Sequence, residues 1–280
     1  MSRRILVTGG TGKTGRRLVS LLREQGASAV PAARSVPPDG VRFDWEDSTS
    51  WSAALDEVGA AYLVAPPGNW AAGETVISFV TTAIEHGVGR FVLLSGSPIE
   101  AGGPAMGEVH AWLQTSGVDW AVLRPSWFME NFSEGPHRLT IRDERALYTA
   151  AGDGRVPFVS AWDIARSAAH LLTAAETPNT DFVLTGPEAL SYDDVAQRLG
   201  AALGVVITHH ALSFDEMVGR HLAEGVPDDR AQSLAIMDLV IADGAEDRVT
   251  GNVEVLTQQP PGSLHQFVDD NVAVWSRPRP

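Results

Sequence analysis

The residues most able to do chemistry lie near the start of the chain, where a glycine-rich segment follows a short apolar run. The segment reads TGGTGKTG and satisfies both G-x-G-x-x-G and G-x-x-G-x-x-G. Glycines at this spacing let the backbone turn tightly and approach a pyrophosphate, and the helix that follows offers free N–H groups and a favourable dipole. The segment therefore predicts a dinucleotide-binding loop that consists of Gly9, Gly10, Thr11, Gly12, Lys13, Thr14 and Gly15.

A P-loop is the competing interpretation of the same residues. Gly12-Lys13-Thr14 fits the end of G-x-x-x-x-G-K-[ST], but the first glycine of that motif would then fall on Val7. Because Val7 belongs to the apolar run of the first strand, the P-loop interpretation is rejected.

The residues after the second and third apolar segments predict which dinucleotide is bound. The second segment ends in Arg34 and Ser35, and no acidic residue follows before Asp39. An acidic residue there would bind the 2′-hydroxyl of NAD, whereas arginine accommodates the 2′-phosphate of NADP. We therefore predict NADP(H), although Arg34 could instead be a solvated surface arginine. Asp44 and Trp45 are expected near the adenine, with a core position as the alternative for Trp45.

These residues need a scaffold, which the alternation of apolar and amphipathic segments predicts. Apolar strand segments that alternate with amphipathic helical segments at this spacing indicate βαβ units and a parallel sheet, so the predicted fold class is α/β. No clean linker is visible, so a second lobe would be interleaved with the first. The short apolar runs lie at 5–7, 29–33, 41–43, 61–65, 90–94 and 120–123.

The composition restricts the function further. The absence of cysteine excludes disulfides, thiolate catalysis and Cys-based metal sites, and the adjacent His209 and His210 do not form a metal pair at helical spacing. The formal charge of −14 argues against a nucleic-acid surface. No apolar stretch approaches the ~20 residues of a membrane span, and no signal peptide is recognised. We expect a cytoplasmic protein, a monomer or homodimer, whose partner is a small molecule.

Several longer segments resemble the NmrA-like group of atypical short-chain dehydrogenase/reductases, which includes ergot-alkaloid-type reductases and NADPH quinone reductases. The resemblance implies a Rossmann-type doubly wound parallel sheet with a small, mainly helical C-terminal substrate lobe. It implies an NAD(P)-binding domain over 1–185, to which 125–160 contributes the active-site floor, and a lobe over 186–280. Besides Arg34-Ser35, the segments are TGGTGKTG at 8–15, FVLLSGS at 91–97, SGVDWAVLRPSWFMENF at 116–132, VPFVSAWDIA at 156–165 and LTGPEALSYDDVA at 184–196.

One departure from the superfamily decides the expected chemistry. The usual Tyr-x-x-x-Lys pair should lie on the helix after the fifth strand, but residues 103–115 contain neither Tyr nor Lys, and Lys13 is the only lysine. Reduction of a ketone makes an alkoxide that benefits from a proton donor, whereas an iminium becomes a neutral amine and a quinone a delocalised phenolate. We predict an NADPH-dependent reductase of a bulky apolar iminium, quinone or enone. A non-catalytic NADP(H)-sensing regulator and a cofactor-bound isomerase or cyclase remain as alternatives.

Candidate site residues follow from the strand ends and from the resemblance. Ser95, at the carboxyl end of the fifth strand, either donates a hydrogen bond to the acceptor or caps the strand. His110 is either catalytic or a surface histidine, and Asn131 is a third candidate for catalysis. The resemblance places Ala65, Pro66, Pro67, Ser95 and Pro125 along the cofactor. The candidate substrate-binding residues are Ser126, Trp127, Phe128, Met129, Asn131 and Tyr148.

Overall fold

The computed structural model describes residues 4–66 and 71–276. The chain divides into two compact units, and each unit is discontinuous in sequence. The first unit comprises the chain up to Pro125, Ala161–Leu184 and Asn252–Gln259; the second comprises Ser126–Ser160, Thr185–Gly251 and the chain from Pro260. The expected domain division, 1–185 and 186–280, stays a prediction.

Strands and helices alternate along much of the chain. The strands are β1 Arg4–Thr8, β2 Ala29–Ala33, β3 Val41–Arg42, β4 Val58–Val64, β5 Arg90–Leu94, β6 Asp119–Pro125, β7 Ala146–Thr149, β8 Thr180–Leu184 and β9 Thr208–Ala211. The helices are α1 Lys13–Glu24, α2 Trp51–Ala54, α3 Gly73–Glu85, α4 Met106–Leu113, α5 Glu130–Ser133, α6 His137–Leu139, α7 Ala161–Thr173, α8 Tyr192–Leu203, α9 Phe214–Ala223, α10 Asp228–Ala242, α11 Asn252–Thr257 and α12 Leu264–Trp275.

The first unit is built on a parallel sheet. Within the described residues it has seven strands in the order β3-β2-β1-β4-β5-β6-β8. Its central strands are continuous apolar runs because a parallel sheet is covered on both faces; Leu6, Leu63 and Phe91, for example, are fully buried. This is the strand order of a Rossmann fold, so the predicted fold class is confirmed.

The second unit is mainly helical and contains the short parallel pair β7–β9. Its core includes the buried rings of Phe132, Phe158 and Tyr192, and Trp275 on α12 donates a hydrogen bond from Nε1 to the Phe132 carbonyl at 2.7 Å. Helix α8 begins at a capping box in which the Ser191 hydroxyl accepts from the backbone N–H three residues later.

Over the two described ranges, none of the helices combines the length and the apolar character that crossing a membrane requires.

Candidate cofactor and substrate sites

The predicted cofactor residues meet at one edge of the sheet in the first unit. Parallel strands all end on the same side, so the residues that follow β1 to β6 share the carboxyl edge. The strand order reverses between β1 and β4, and ligands of open α/β sheets bind at such a switch point. The glycine-rich segment follows β1 directly, at this reversal.

Backbone conformation explains one of the glycines in this segment, and close packing explains two more. Gly9 has a φ of 61°, which favours glycine. A Cβ on Gly10 would lie 2.6 Å from the Cβ of Pro31 on the neighbouring strand, and a Cβ on Gly15 would collide with the Gly9 carbonyl oxygen. These glycines therefore allow the turn and the contact of α1 with it.

Gly12 is different because its environment is nearly open. A Cβ there would meet only the Gly9 carbonyl oxygen, at 3.1 Å. Gly12 is the N-cap of α1 with extended backbone, no side chain caps this helix, and its first turn holds no acidic residue. An anion is favoured at such an N-terminus because the N–H groups and the helix dipole point towards it.

Two buried hydroxyl groups hold the turn against β4. The Thr8 hydroxyl donates to the Tyr62 carbonyl at 3.0 Å and accepts from the Val64 N–H at 2.8 Å. The Tyr62 hydroxyl donates to Thr14 Oγ1 at 3.3 Å, and burial raises the pKa of Tyr62 far above its usual value. Tyr62 is therefore a structural residue that remains protonated. Thr11 is exposed, and Lys13 is half-buried at the start of α1.

The other predicted cofactor residues follow the remaining strands. Arg34 and Ser35 are exposed directly after β2, and no acidic residue lies between them and Asp39. This placement is compatible with a 2′-phosphate. Ala65 and Pro66 are half-buried after β4, whereas Pro67 lies outside the described residues.

Trp45 has contacts on several sides. Its ring packs edge-on against Phe43 and Phe79, with centroids 4.8 and 5.3 Å apart, and its Nε1 donates to the Val64 carbonyl at 3.2 Å. The ring remains half-buried, so a part of it faces solvent. The Asp44 side chain accepts from the backbone N–H of Glu46 at 3.1 Å. A contact with adenine stays a prediction for both residues.

Ser95 carries an unpaired hydroxyl at the carboxyl end of β5. Its backbone N–H donates to the Leu123 carbonyl at 2.8 Å, but its Oγ is inaccessible and has no hydrogen-bond partner among the described residues. Buried hydroxyls normally have a partner, so an orphaned hydroxyl at this edge fits a ligand that supplies one. The residues present therefore fit a dinucleotide.

An arginine secures the loop that follows Ser95. Arg124 on β6 is 4% exposed and donates to the Ser97 carbonyl at 2.7 Å and to Asp181 at 2.8 Å. The Ser97 N–H donates to the Pro125 carbonyl at 2.9 Å, which ties the loop to the end of β6. Pro125, predicted to lie along the cofactor, is buried at this position.

His110 on α4 is buried rather than at the surface. It is 2% exposed, its ring lies 5.5 Å from that of Trp120, and neither ring nitrogen has a hydrogen-bond partner in the described structure. Burial lowers the pKa of His110, so the ring is neutral near pH 7. A catalytic role for His110 stays a prediction.

The second unit contains a cavity of about 440 Å³. It brings together three of the predicted substrate-binding residues, Trp127, Asn131 and Tyr148. The Tyr148 ring stacks on His210 at 5.0 Å, the Arg220 guanidinium lies 3.7 Å from its centroid, and the hydroxyl donates to Glu144 at 3.0 Å. The size lies within the range of small-molecule sites, roughly 300 to 1,000 Å³.

The remaining predicted substrate residues do not line this cavity. Met129 is 1% exposed in the core, and Phe128 is half-buried in an isolated bridge to Val159. The Ser126 hydroxyl donates to the buried Glu246 carboxylate at 3.2 Å. Substrate contact stays a prediction for all three.

Tyr192 and Asp238 are among the polar residues that line the cavity and that sequence reasoning did not find. Tyr192 is buried at the start of α8, far along the chain from the other candidate residues. Asp238 had a visible signal, because it lies at helical spacing from Ala231, Ala235 and Ile241, which are fully buried. A carboxylate among such inward-facing apolar positions is a signal of a functional residue.

The fold and the carboxyl edge define a Rossmann dinucleotide-binding protein. Comparison with known proteins agrees: residues 9–175 match the NAD(P)H-binding family. The chain is 44% identical over 285 residues to agroclavine dehydrogenase of Claviceps fusiformis, with 97% of this chain and 98% of the relative covered. The chain belongs to the NAD(P)H-binding family and is an NAD(P)H oxidoreductase, and its resemblance to ergot-alkaloid-type reductases is confirmed.

Two solved structures share this fold at lower sequence identity. An NADPH-dependent quinone oxidoreductase from Escherichia coli, solved with NADPH, has a TM-score of 0.82 at 22% identity and covers 95% of this chain and 99% of its own. A triphenylmethane reductase from Citrobacter sp., solved with NADP(H), has a TM-score of 0.80 at 20% identity. The match covers 96% of this chain and 99% of that chain.

Proposed function

We propose that this oxidoreductase is an NADPH-dependent reductase of a bulky apolar acceptor that is conjugated or cationic, namely an iminium, quinone or enone. The observation that carries the proposal is the combination of a dinucleotide-type carboxyl edge with a helix α4, Met106–Leu113, that contains neither Tyr nor Lys.

The residues of the carboxyl edge divide the binding of NADPH among them. The uncapped start of α1 and the open side of Gly12 suit the pyrophosphate. Arg34, with Ser35 beside it, suits the 2′-phosphate because guanidinium groups form paired hydrogen bonds with phosphate oxygens. The orphaned Ser95 hydroxyl suits a ribose or acceptor oxygen. When bound, the dihydronicotinamide supplies a hydride.

The side chains near α4 determine which acceptors are suitable. An alkoxide formed from a simple ketone needs a proton donor with a suitable pKa. His110 is neutral and buried against Trp120, and the Ser95 hydroxyl can donate a hydrogen bond but is a weak acid. An iminium, by contrast, needs no proton, and the negative charge from a quinone or enone is delocalised. Two proteins that share this fold are named as a quinone oxidoreductase and a triphenylmethane reductase, and these names support acceptors of this kind.

A panel of acceptors tests the proposed chemistry. NADPH oxidation by the purified protein is followed with an iminium, a quinone, an enone and a simple ketone of similar size. We expect turnover with at least one of the first three and little with the ketone. Efficient ketone reduction with a bell-shaped pH profile would overturn the proposal, and binding of NADPH without any turnover would favour a sensing role.

The preference for NADPH has its own test. We expect NADPH to bind at least tenfold more tightly than NADH, about 1.4 kcal/mol, and Arg34→Ala to remove this difference by weakening NADPH alone. Arg23→Ala is the matched control, because Arg23 is also exposed but lies in the last turn of α1, at the opposite end of this helix from the glycine-rich segment. Fluorescence titration of both nucleotides gives the two affinities. An unchanged ratio in Arg34→Ala would contradict the assignment of the 2′-phosphate site.

A further inference from the structure

The cavity of the second unit contains a carboxylate with no positive partner. Asp238 Oδ2 accepts a hydrogen bond from the Ala150 N–H at 2.8 Å, and no Lys, Arg or His of the described chain forms an ion pair with it. Burial raises the pKa of Asp238 to about 6. The carboxylate is therefore ionised above that pH in a largely desolvated position, where an unpaired charge is unfavourable.

The backbone contact alone does not explain an aspartate here. One oxygen atom is sufficient to accept from Ala150, and an asparagine side chain would provide it without a charge. The neighbouring inward positions of α10, Ala231, Ala235 and Ile241, are apolar and fully buried. A negative charge on this stripe lowers the stability of the unit unless a ligand compensates for it.

The aromatic lining of the cavity suits a positive charge as well. Trp127 is half-buried in the wall, and within the described residues no other ring or cation stacks on it. Tyr192 is 2% exposed, and its hydroxyl has no hydrogen-bond partner in the described chain. Burial and the charge of Asp238 raise the pKa of Tyr192 well above its usual value, so the phenol stays neutral. Aromatic faces attract cations through their ring quadrupoles.

The arginines that line the cavity are placed so that they do not neutralise Asp238. Arg220 pairs with Glu144 at 3.5 Å and with Glu224 at 3.3 Å, and its guanidinium covers Tyr148. Arg230 precedes Asp238 by eight residues on α10, roughly 12 Å along the helix axis. The titratable groups that line the cavity are His137, Tyr148, Tyr192, Arg220, His221, Glu224, Arg230 and Asp238.

We propose that this cavity binds a small aromatic molecule with a positively charged nitrogen and that the Asp238 carboxylate is its counter-ion. The inference rests on the proposed function for one point, namely that this molecule is the hydride acceptor; it selects the cationic class among the acceptors proposed above. Binding itself requires neither NADPH nor turnover, so it can be measured separately.

A matched pair of probes tests the proposal in the wild-type chain. Isothermal titration at pH 8 compares 1-methylquinolinium with its neutral carbon analogue 1-methylnaphthalene, which has nearly the same shape. We expect the cation to bind at least tenfold more tightly. Equal affinities, or a preference for the neutral compound, would overturn the proposal without the need for any variant.

Asp238→Asn assigns the preference to one side chain. The variant retains an oxygen for the Ala150 N–H, so we expect at least a tenfold loss for 1-methylquinolinium and less than a twofold change for 1-methylnaphthalene. Asp229→Asn is the control, because it removes the same charge from an exposed position on α10. If the role of Asp238 is purely structural, Asp238→Asn will weaken the binding of both probes alike, and that result would refute the assignment.

Two separate measurements, cation binding and NADPH oxidation, distinguish a failure of the cation site from a failure of the proposed reductase function. Oxidation of NADPH by a quinone together with no cation preference would refute the cation site and leave the reductase standing. Cation binding that depends on Asp238, with no NADPH oxidation by any acceptor, would support the site and contradict the reductase.

Discussion

Replacing Asp238 by asparagine should make the protein more stable at pH 8, although it removes a charge that we assign to ligand binding. The pKa of this carboxyl is about 6 in the folded chain against an ordinary value of 3.8. Between these two values the folded state binds more protons than the unfolded state, so stability falls as pH rises through this window. The difference between these two pKa values, at 1.36 kcal/mol per pKa unit, corresponds to a loss of at most about 3 kcal/mol in the free energy of unfolding.

The assay is urea unfolding of the wild type and Asp238→Asn at several pH values from 4 to 8. We expect a difference of up to about 3 kcal/mol in favour of the variant at pH 8, falling towards zero near pH 4, where the wild-type carboxyl is protonated. Asp229→Asn should show the opposite sign, because an ionised carboxylate in the first turn of a helix is stabilising by about 0.3 to 1 kcal/mol. A difference between the wild type and Asp238→Asn that does not vary with pH would refute the reasoning.

Three further substitutions probe the first unit. Gly12→Ala should weaken NADPH binding at least tenfold in a fluorescence titration, because the added methyl group occupies the side left for the pyrophosphate; Gly89→Ala, where a Cβ meets nothing within 4 Å, should leave the affinity unchanged. Ser95→Ala breaks no hydrogen bond within the described structure, so thermal unfolding should change by less than about 0.5 kcal/mol while kcat/KM for NADPH falls. Arg124→Ala leaves Asp181 and a backbone carbonyl unsatisfied and should lower the unfolding free energy by roughly 2 kcal/mol.

The sheet of the first unit was predictable because its signals are local. The runs at 29–33 and 90–94 coincide with β2 and β5. Proline lacks an N–H for the ladder and fits β2 at Pro31, because β2 pairs with β3 only at Ala32 and Ala33 and Pro31 has a strand partner on one side alone. Local periodicity and turn residues carry this information without knowledge of the tertiary contacts.

The second unit was less predictable because its contacts span long distances in sequence. The strands β7 and β9 are four residues each, separated by about 60 residues, and β9 reads THHA, which lacks an apolar pattern. The cavity likewise joins Trp127 to Asp238. Trp127 and Asn131 lie in a segment that the resemblance singles out, and Tyr148 is a candidate outside those segments, but only the tertiary structure shows which side chains of α8 and α10 line the same cavity.

The last strand of the sheet depends on a segment synthesised much later. The side-chain amide of Asn252, at the start of α11, donates to the Val183 carbonyl of β8 at 3.0 Å, and α11 packs on α7. While the ribosome is still translating the intervening residues, β8 lacks the hydrogen bond from Asn252, and α7 lacks its contact with α11. We therefore expect nascent chains that stop before residue 252 to expose a protease-sensitive edge strand, and a gene cut after residue 185 to yield an incompletely folded nucleotide-binding fragment.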